Sequence, residues 1–345
     1  MKKLIFILFF LPIIYFSVSA QTDDDKQSAF HFSFIPPLST HGTFAGEYTN
    51  QVSFNMLAGI SKNEKAFTFG GLANIIYDTS NGLQFAGLCN YVGNEGHGMM
   101  FSGLINLVGN DYSGFLFSGL MNRTKQMQGI QFGGLGNIAD EMKGFQFAGL
   151  GNIAGDVDGF QFGGLFNKAK KVSGVQFAGL FNIAESSDYP IALLNIIKEG
   201  EYALGVTYND LGSTMLTLRS GGRVTYGILG IGYNHKTNDD GISIEGGFGV
   251  HLNITKWLRI NNEIKGGSTN SFSSESTFYT NYALMPAFRI NPHFEIFGGP
   301  SLNYLNSDDP SNKDIFPNYS FWKKYSDSGL QQFYIGYQFG IQYIF

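Results

Sequence analysis

Cysteine is almost absent from this chain: Cys89 is the only one in 345 residues. That excludes an intramolecular disulfide framework and any zinc site built from several thiolates. With no cysteine near residue 20, the lipid anchor of a bacterial lipoprotein is excluded as well. Charge is scarce at 14%, and its balance of −5 lacks the basic stripe that a nucleic-acid partner requires. Long hydrophobic runs are missing too. After residue 20 no window offers the roughly 18 apolar residues of a spanning helix, so a chain of this kind could enter a membrane only as strands.

What is abundant points the same way. Gly at 46, Phe at 34 and Tyr at 18 are all high. Glycine weakens helix interiors, whereas aromatics suit a pleated surface, so the composition favours sheet. The first twenty residues read as a secretory signal: basic Met1-Lys2-Lys3, an apolar run from Leu4 to Phe16, and the small-residue end Val18-Ser19-Ala20. Cleavage is expected after Ala20, and residues 1–20 are set aside from the fold. The remaining chain is long enough for two domains of about 100 to 200 residues each.

Internal repetition dominates the first half. Phe69, Phe85, Phe101, Phe117, Phe132, Phe147, Phe162 and Phe177 recur every 15 or 16 residues. Each opens the same word: a small residue, Gly-Leu (Gly71-Leu72 in the first copy), one variable residue, then Asn74, Asn90, Asn106, Asn122, Asn137, Asn152, Asn167 or Asn182. One unit is an extended segment plus a turn. Such units can form antiparallel walls of a barrel or parallel coils of a β-solenoid, and register separates the two. Identical hairpins would return the chain to one level after every second strand and accumulate no stagger, but a closed barrel needs stagger. In a solenoid, Phe stacks on Phe and Asn on Asn. The register therefore favours a solenoid, while the clean alternation of Phe145, Phe147 and Gly149 with Gln146, Ala148 and Leu150 keeps a barrel wall open.

Beyond Asp188 the strands lengthen and alternate. Ile242, Ile244, Gly246, Phe248, Val250 and Leu252 interleave with Ser243, Glu245, Gly247, Gly249, His251 and Asn253. The connections at 253–256 and 291–292 are tight, whereas 235–241, 268–276 and 306–330 are long and polar, the rim asymmetry expected of an outer-membrane barrel. In the last strand, Phe333, Ile335, Tyr337, Phe339, Ile341, Tyr343 and Phe345 face one way, and the glutamines face the other. This strand resembles the terminal strand of bacterial outer-membrane barrels. The resemblance implies recognition of the final Phe by the barrel insertion machinery. The Phe-small-Gly-Leu-x-Asn units followed by such a tail resemble bacterial outer-membrane surface-repeat proteins, a likeness that covers most of the chain and carries no known chemistry.

Catalytic and ligand signals are sparse. His31, His41, His97, His235, His251 and His293 are scattered without metal-ligand spacing. His251 with Glu245 or Glu263 is the nearest thing to a hydrolase pair, and its lumenal, non-catalytic reading is preferred. Gly230-Ile231-Gly232 lies in a strand with no helix after it, so it is no dinucleotide loop. Asp156, Asp158, Asp239, Asp240, Asp308 and Asp309 are read as solvated loop acids rather than calcium ligands. Trp257 is either an interfacial anchor or a packed ring. The expected organisation is all-β: a signal peptide (1–20), an N-terminal segment and cap (21–60), a repeat β-solenoid (61–185), and an antiparallel outer-membrane β-barrel (189–345). The alternative is one continuous β-barrel of roughly 18 strands acting as a passive pore. The expected role is non-enzymatic and cofactor-free, with outer-membrane lipid, the insertion machinery and a protein or glycan ligand as partners.

Overall fold

The computed structural model describes residues 26–237, 241–269, 277–307, 317–326 and 329–345. The expected signal peptide, Asp239, Asp240, Asp308 and Asp309 lie outside the described residues. Two β-structures follow one another along the chain, a parallel solenoid and an antiparallel barrel.

The repeats form the solenoid. Strands stack in parallel and in register, so that Gly144, Phe145, Gln146 and Phe147 lie on Gly159, Phe160, Gln161 and Phe162. The same pairing reaches back to Lys26–Ile35 on Tyr48–Asn55 and forward to Phe181–Ala184 on Leu194–Ile197. Each coil has two faces joined by two corners. One corner is the Gly-Leu dipeptide, and the other holds the polar residues between repeats. Glycine is required at the first corner because the coils approach closely there: a Cβ on Gly134 would sit 1.9 Å from the Gly119 carbonyl oxygen. The mid-strand glycines that open each unit, such as Gly144 at φ 123°, adopt a left-handed conformation and pack as tightly on their own copies.

The solenoid is inside out by soluble standards. Asn and Gln point inward with Ala, Val and Met, and Phe and the Leu of each Gly-Leu corner point outward. The dry part of the interior lies near the polar corner, where Val92, Val108, Tyr112, Met127, Met142 and Val157 cluster with neighbours above and below.

The second half closes a barrel of eight antiparallel strands, from Glu201–Asn209 round to Gly329–Ile344, which pairs back on Glu201–Asn209. Stepping across partners from Val206 through Leu216, Ile231, Ile244, Ser268, Phe278 and Asn306 arrives at Gln331. Val206 itself pairs with Ile341, so closure carries a stagger of ten residues. Non-zero stagger is what a barrel needs, with strands tilted by roughly 40°. The repeats contribute nothing to this wall, so a single wall of roughly 18 strands does not form. A ninth strand, Trp322–Ser326, extends the last hairpin beyond one rim. The turns at 222–224, 254–257 and 290–293 share the other rim with both ends of the barrel chain. Long connections leave the far rim, apart from the short link at 210–212.

Candidate functional site

The repeated asparagines form one continuous ladder. From Asn55 through Asn74, Asn90, Asn106, Asn122, Asn137, Asn152, Asn167 and Asn182, each passes an amide hydrogen to the next side-chain oxygen at 2.9–3.1 Å, and the ladder ends on Asn195 as acceptor. Asn74 through Asn167 also donate to the carbonyl of a repeat Phe in the next coil, as Asn137 does to Phe147 at 2.7 Å, whereas Asn182 donates to the Gln176 carbonyl. A buried amide left unpaired is costly, and stacking identical residues satisfies each from its copy. A second ladder, Gln176 to Gln161 to Gln146 to Gln131, donates in the opposite direction along the chain. Both are interior features, closed to a ligand.

The repeat phenylalanines lie on the outer surface. Phe85 stacks on Phe101, Phe132 on Phe147 and Phe162 on Phe177, at centroid separations of 5.0, 4.7 and 5.3 Å. Beside them an exposed leucine row follows the Gly-Leu corner: Leu72, Leu88, Leu104, Leu120, Leu135 and onward to Leu180. The last barrel strand also presents Tyr337, Phe339, Ile341, Tyr343 and Phe345 outward, on a wall whose other outward residues are mostly aliphatic. Trp257 is exposed and lies flat against Phe288 at the short-turn rim.

The barrel interior is filled and ionic. Arg219 meets Glu263 through two contacts of 2.7 and 3.2 Å, and the Tyr226 hydroxyl donates to the same carboxylate. Lys265 binds Glu245 at 3.2 Å and the Gln338 side chain at 2.8 Å, and the Tyr279 hydroxyl donates to Glu245. Nearer the short-turn rim, Arg259 spans Glu201 and Glu295, and Arg289 adds a second bond to Glu201. His251 is buried against the Tyr226 ring and hydrogen-bonds Asn261 at 2.7 Å. Its nearest carboxylate is that of Glu201, 3.7 Å away. The two carboxylates considered with it from sequence, Glu245 and Glu263, are engaged by Lys265 and Arg219 instead. Among the described residues no three His, Cys, Asp or Glu converge on a metal-sized site.

The join between the halves is a feature the repeat pattern did not signal. Asn195, the last rung, donates to the Ser220 carbonyl and its backbone N–H donates to the Ser220 hydroxyl, both at 3.0 Å. Ser220 is an outward position on the barrel wall. One strand over, Thr225 donates to the Pro190 carbonyl at 2.9 Å. Gly227 and Gly246 give the solenoid end a flat seat: a Cβ on Gly227 would lie 2.1 Å from the Ala192 carbonyl oxygen, and one on Gly246 would lie 3.2 Å from the Leu193 side chain. The repeat Phe row runs onto the wall as well, with Phe177 6.5 Å from Phe248. Beside this seam, a cleft of about 520 Å³ at the rim is lined by Arg223, Lys256, Arg259, Arg289 and Glu201.

No family model matches the chain, and no curated protein is detectably similar to it. Among solved structures, one from "De novo design of transmembrane beta-barrels" is similar at 15% identity, over 42% of this chain and 93% of that one, with a TM-score of 0.25. A likeness at that score adds nothing to the geometry.

Proposed function

We propose that this chain is a non-enzymatic outer-membrane protein whose barrel anchors the repeat array for a structural or protein- or glycan-binding role. The observation that carries the reading is the division of the barrel between its two surfaces. The outer wall is an apolar belt with aromatics at the rims, and the polar and charged residues of the same strands are paired inside. Such a wall suits hydrocarbon, since closure leaves no unpaired backbone edge in it. Eight strands enclose a space that side chains fill, and here they fill it with ion pairs. The barrel is therefore an anchor rather than a conduit. Water-facing contacts with a partner fall to the polar corners of the repeats, at residues such as Asp140, Glu141, Asp156, Asp158, Lys170 and Lys171. Partners expected on the same reading are outer-membrane lipid and the barrel insertion machinery. The test is planar-bilayer recording on the purified full chain, together with membrane fractionation of cells that express it. Fractionation with the outer membrane and absence of channel steps are expected. Regular steps would restore the pore, and a soluble, monodisperse protein would remove the membrane anchor altogether.

A further inference from the structure

We propose that the repeat array is itself a membrane-embedded blade, with its Gly-Leu edge and flanking Phe rows immersed in the acyl chains of the leaflet next to the short-turn rim. This rests on the reading of the barrel as membrane-spanning and adds a second lipid-facing surface to it. The argument begins at the seam. The polar corner of the last coils, Ser187 and Asp188, lies against Gly222 in a short turn, at the level of the rim. The leucine corner of the same turn of solenoid, Leu193, lies against Gly246. Gly246 is in the apolar belt: it pairs with Leu229, sits two residues from Ile244 and Phe248 on the outward face, and is four residues along its strand from Val250, the partner of Thr225 near the rim. Four residues of a strand tilted by roughly 40° rise about 10 Å, well into a leaflet whose hydrocarbon is about 15 Å deep. A coil therefore stands against the wall with its polar end where the barrel is polar and its leucine end where the barrel is apolar.

The array continues this arrangement away from the wall, because every coil stacks in register on the last. With strands about 4.8 Å apart, ten rungs make a blade roughly 45 Å long. Along that length the exposed corner reads Leu180, Leu165, Leu150, Leu135, Leu120 and Leu104. An apolar strip of this size exposed to water is unusual for a soluble protein. Its backbone is also fit for hydrocarbon. Corner N–H groups are satisfied from coil to coil, as Leu135 donates to Leu120 at 2.9 Å, Gly136 to Leu120 at 3.0 Å and Gly134 to Ser118 at 3.1 Å. Exposed apolar side chains, an internally satisfied corner backbone and a physical join to the barrel's apolar wall together commit the edge to lipid.

The experiment is depth-dependent quenching in liposomes. In the full chain carrying Cys89→Ser, single cysteines replace Leu135 or Leu165 on the blade edge, Asp140 on the polar corner, or Ile231 on the barrel belt. Each is labelled with an environment-sensitive fluorophore and read against lipids brominated along the acyl chain. The edge probes are expected to be quenched as strongly as the Ile231 probe and several-fold more than the Asp140 probe. Edge probes that stay unquenched while Ile231 is quenched overturn the blade and leave the barrel anchor standing, whether their emission reports water or a protein surface such as a second copy. An Ile231 probe that is itself unquenched overturns the anchor, and the blade falls with it. Two edge positions guard against a local folding defect at either one.

Discussion

At the scale of single residues, the ladder asparagines and one buried acid set the energetics of the solenoid. Replacing Asn137 with Ala removes the acceptor of Asn122 and both donors to Phe147 and Asn152. Each group stranded in the interior costs about 1–3 kcal/mol, so Asn137→Ala is expected to destabilise the central coils by about 3 kcal/mol. Urea titration with hydrogen exchange read over residues 121–153 measures it, and a shift below about 1 kcal/mol would mean that water replaces the missing amide. Glu64 is buried in the first coils, where the Asn50 side chain, Ser53 and Thr68 donate to it at 2.7–3.1 Å. Burial outweighs those donors and raises its pKa above the ordinary 4.5. A group with a raised folded pKa contributes stability below its unfolded value, and that contribution is lost as pH rises through the folded value. The N-terminal coils are thus expected to loosen from mildly acidic to neutral pH. Glu64→Gln should remove that dependence and protect the coils at neutral pH, which hydrogen exchange at the two conditions checks.

At the scale of elements, the seam depends on two glycines of the barrel wall. Any side chain at Gly227 meets backbone oxygens of Ala192 and Leu193 at 2.1 and 2.4 Å, and neither can move without unstacking the last coil. Gly227→Val is expected to lift the strands at Ser186–Ile191 and Leu194–Ile197 off the wall. Gly266→Ala, an outward wall position whose nearest atom would be 4.0 Å away, should not. Limited proteolysis reads the difference. New cleavage between 186 and 200 in the first variant alone, with the barrel still folded by gel mobility, is the expected pattern, and equal resistance of both would show that the halves are held elsewhere. Part of this scale was legible in the sequence. The spacing of Phe69 through Phe177 and of Asn74 through Asn182 led to parallel in-register coils, because identical turns cannot build the stagger of a closed wall. Asn195 escaped notice since the word around it, Ile191-Ala192-Leu193-Leu194-Asn195, has lost the Phe and Gly that mark the unit. Asn55 did so because it stands in the small-residue position after Phe54, paired with Gly70, and its side chain fills the rung where Gly59 replaces the asparagine.

At the scale of the whole molecule, the barrel is held from within by charges that have no water to fall back on. Arg219→Leu leaves Glu263 buried with Lys265 at 3.8 Å and the Tyr226 hydroxyl. Breaking a buried pair from one side costs about 3–5 kcal/mol, whereas replacing both partners by apolar groups is often close to neutral. Arg219→Leu is therefore expected to lower the temperature at which the barrel loses its compact gel mobility, and the double variant with Glu263→Leu to recover much of the loss. A double variant no better than the single would place the contribution of Arg219 in its packing over the Phe297 ring, 4.7 Å away, instead of in its charge.

What the sequence determined by itself is everything that depends on period. The 15/16-residue recurrence makes coils, the two-residue alternation after Asp188 makes antiparallel strands, and alternation alone groups Tyr337, Phe339, Ile341, Tyr343 and Phe345 on one face. What only the tertiary structure decided is which side of each strand is the inside. Alternation is symmetric, so Phe145 with Phe147 and Gln146 with Ala148 could each have faced the core. The close approach of Gly134 to Gly119 and the satisfaction of one amide by its copy place Asn and Gln within and leave Phe and Leu without. The seam at Ser220, Gly227 and Gly246, and the pairing of Arg219 with Glu263 across 44 residues, were equally beyond a linear reading, because they exist only once the barrel has closed.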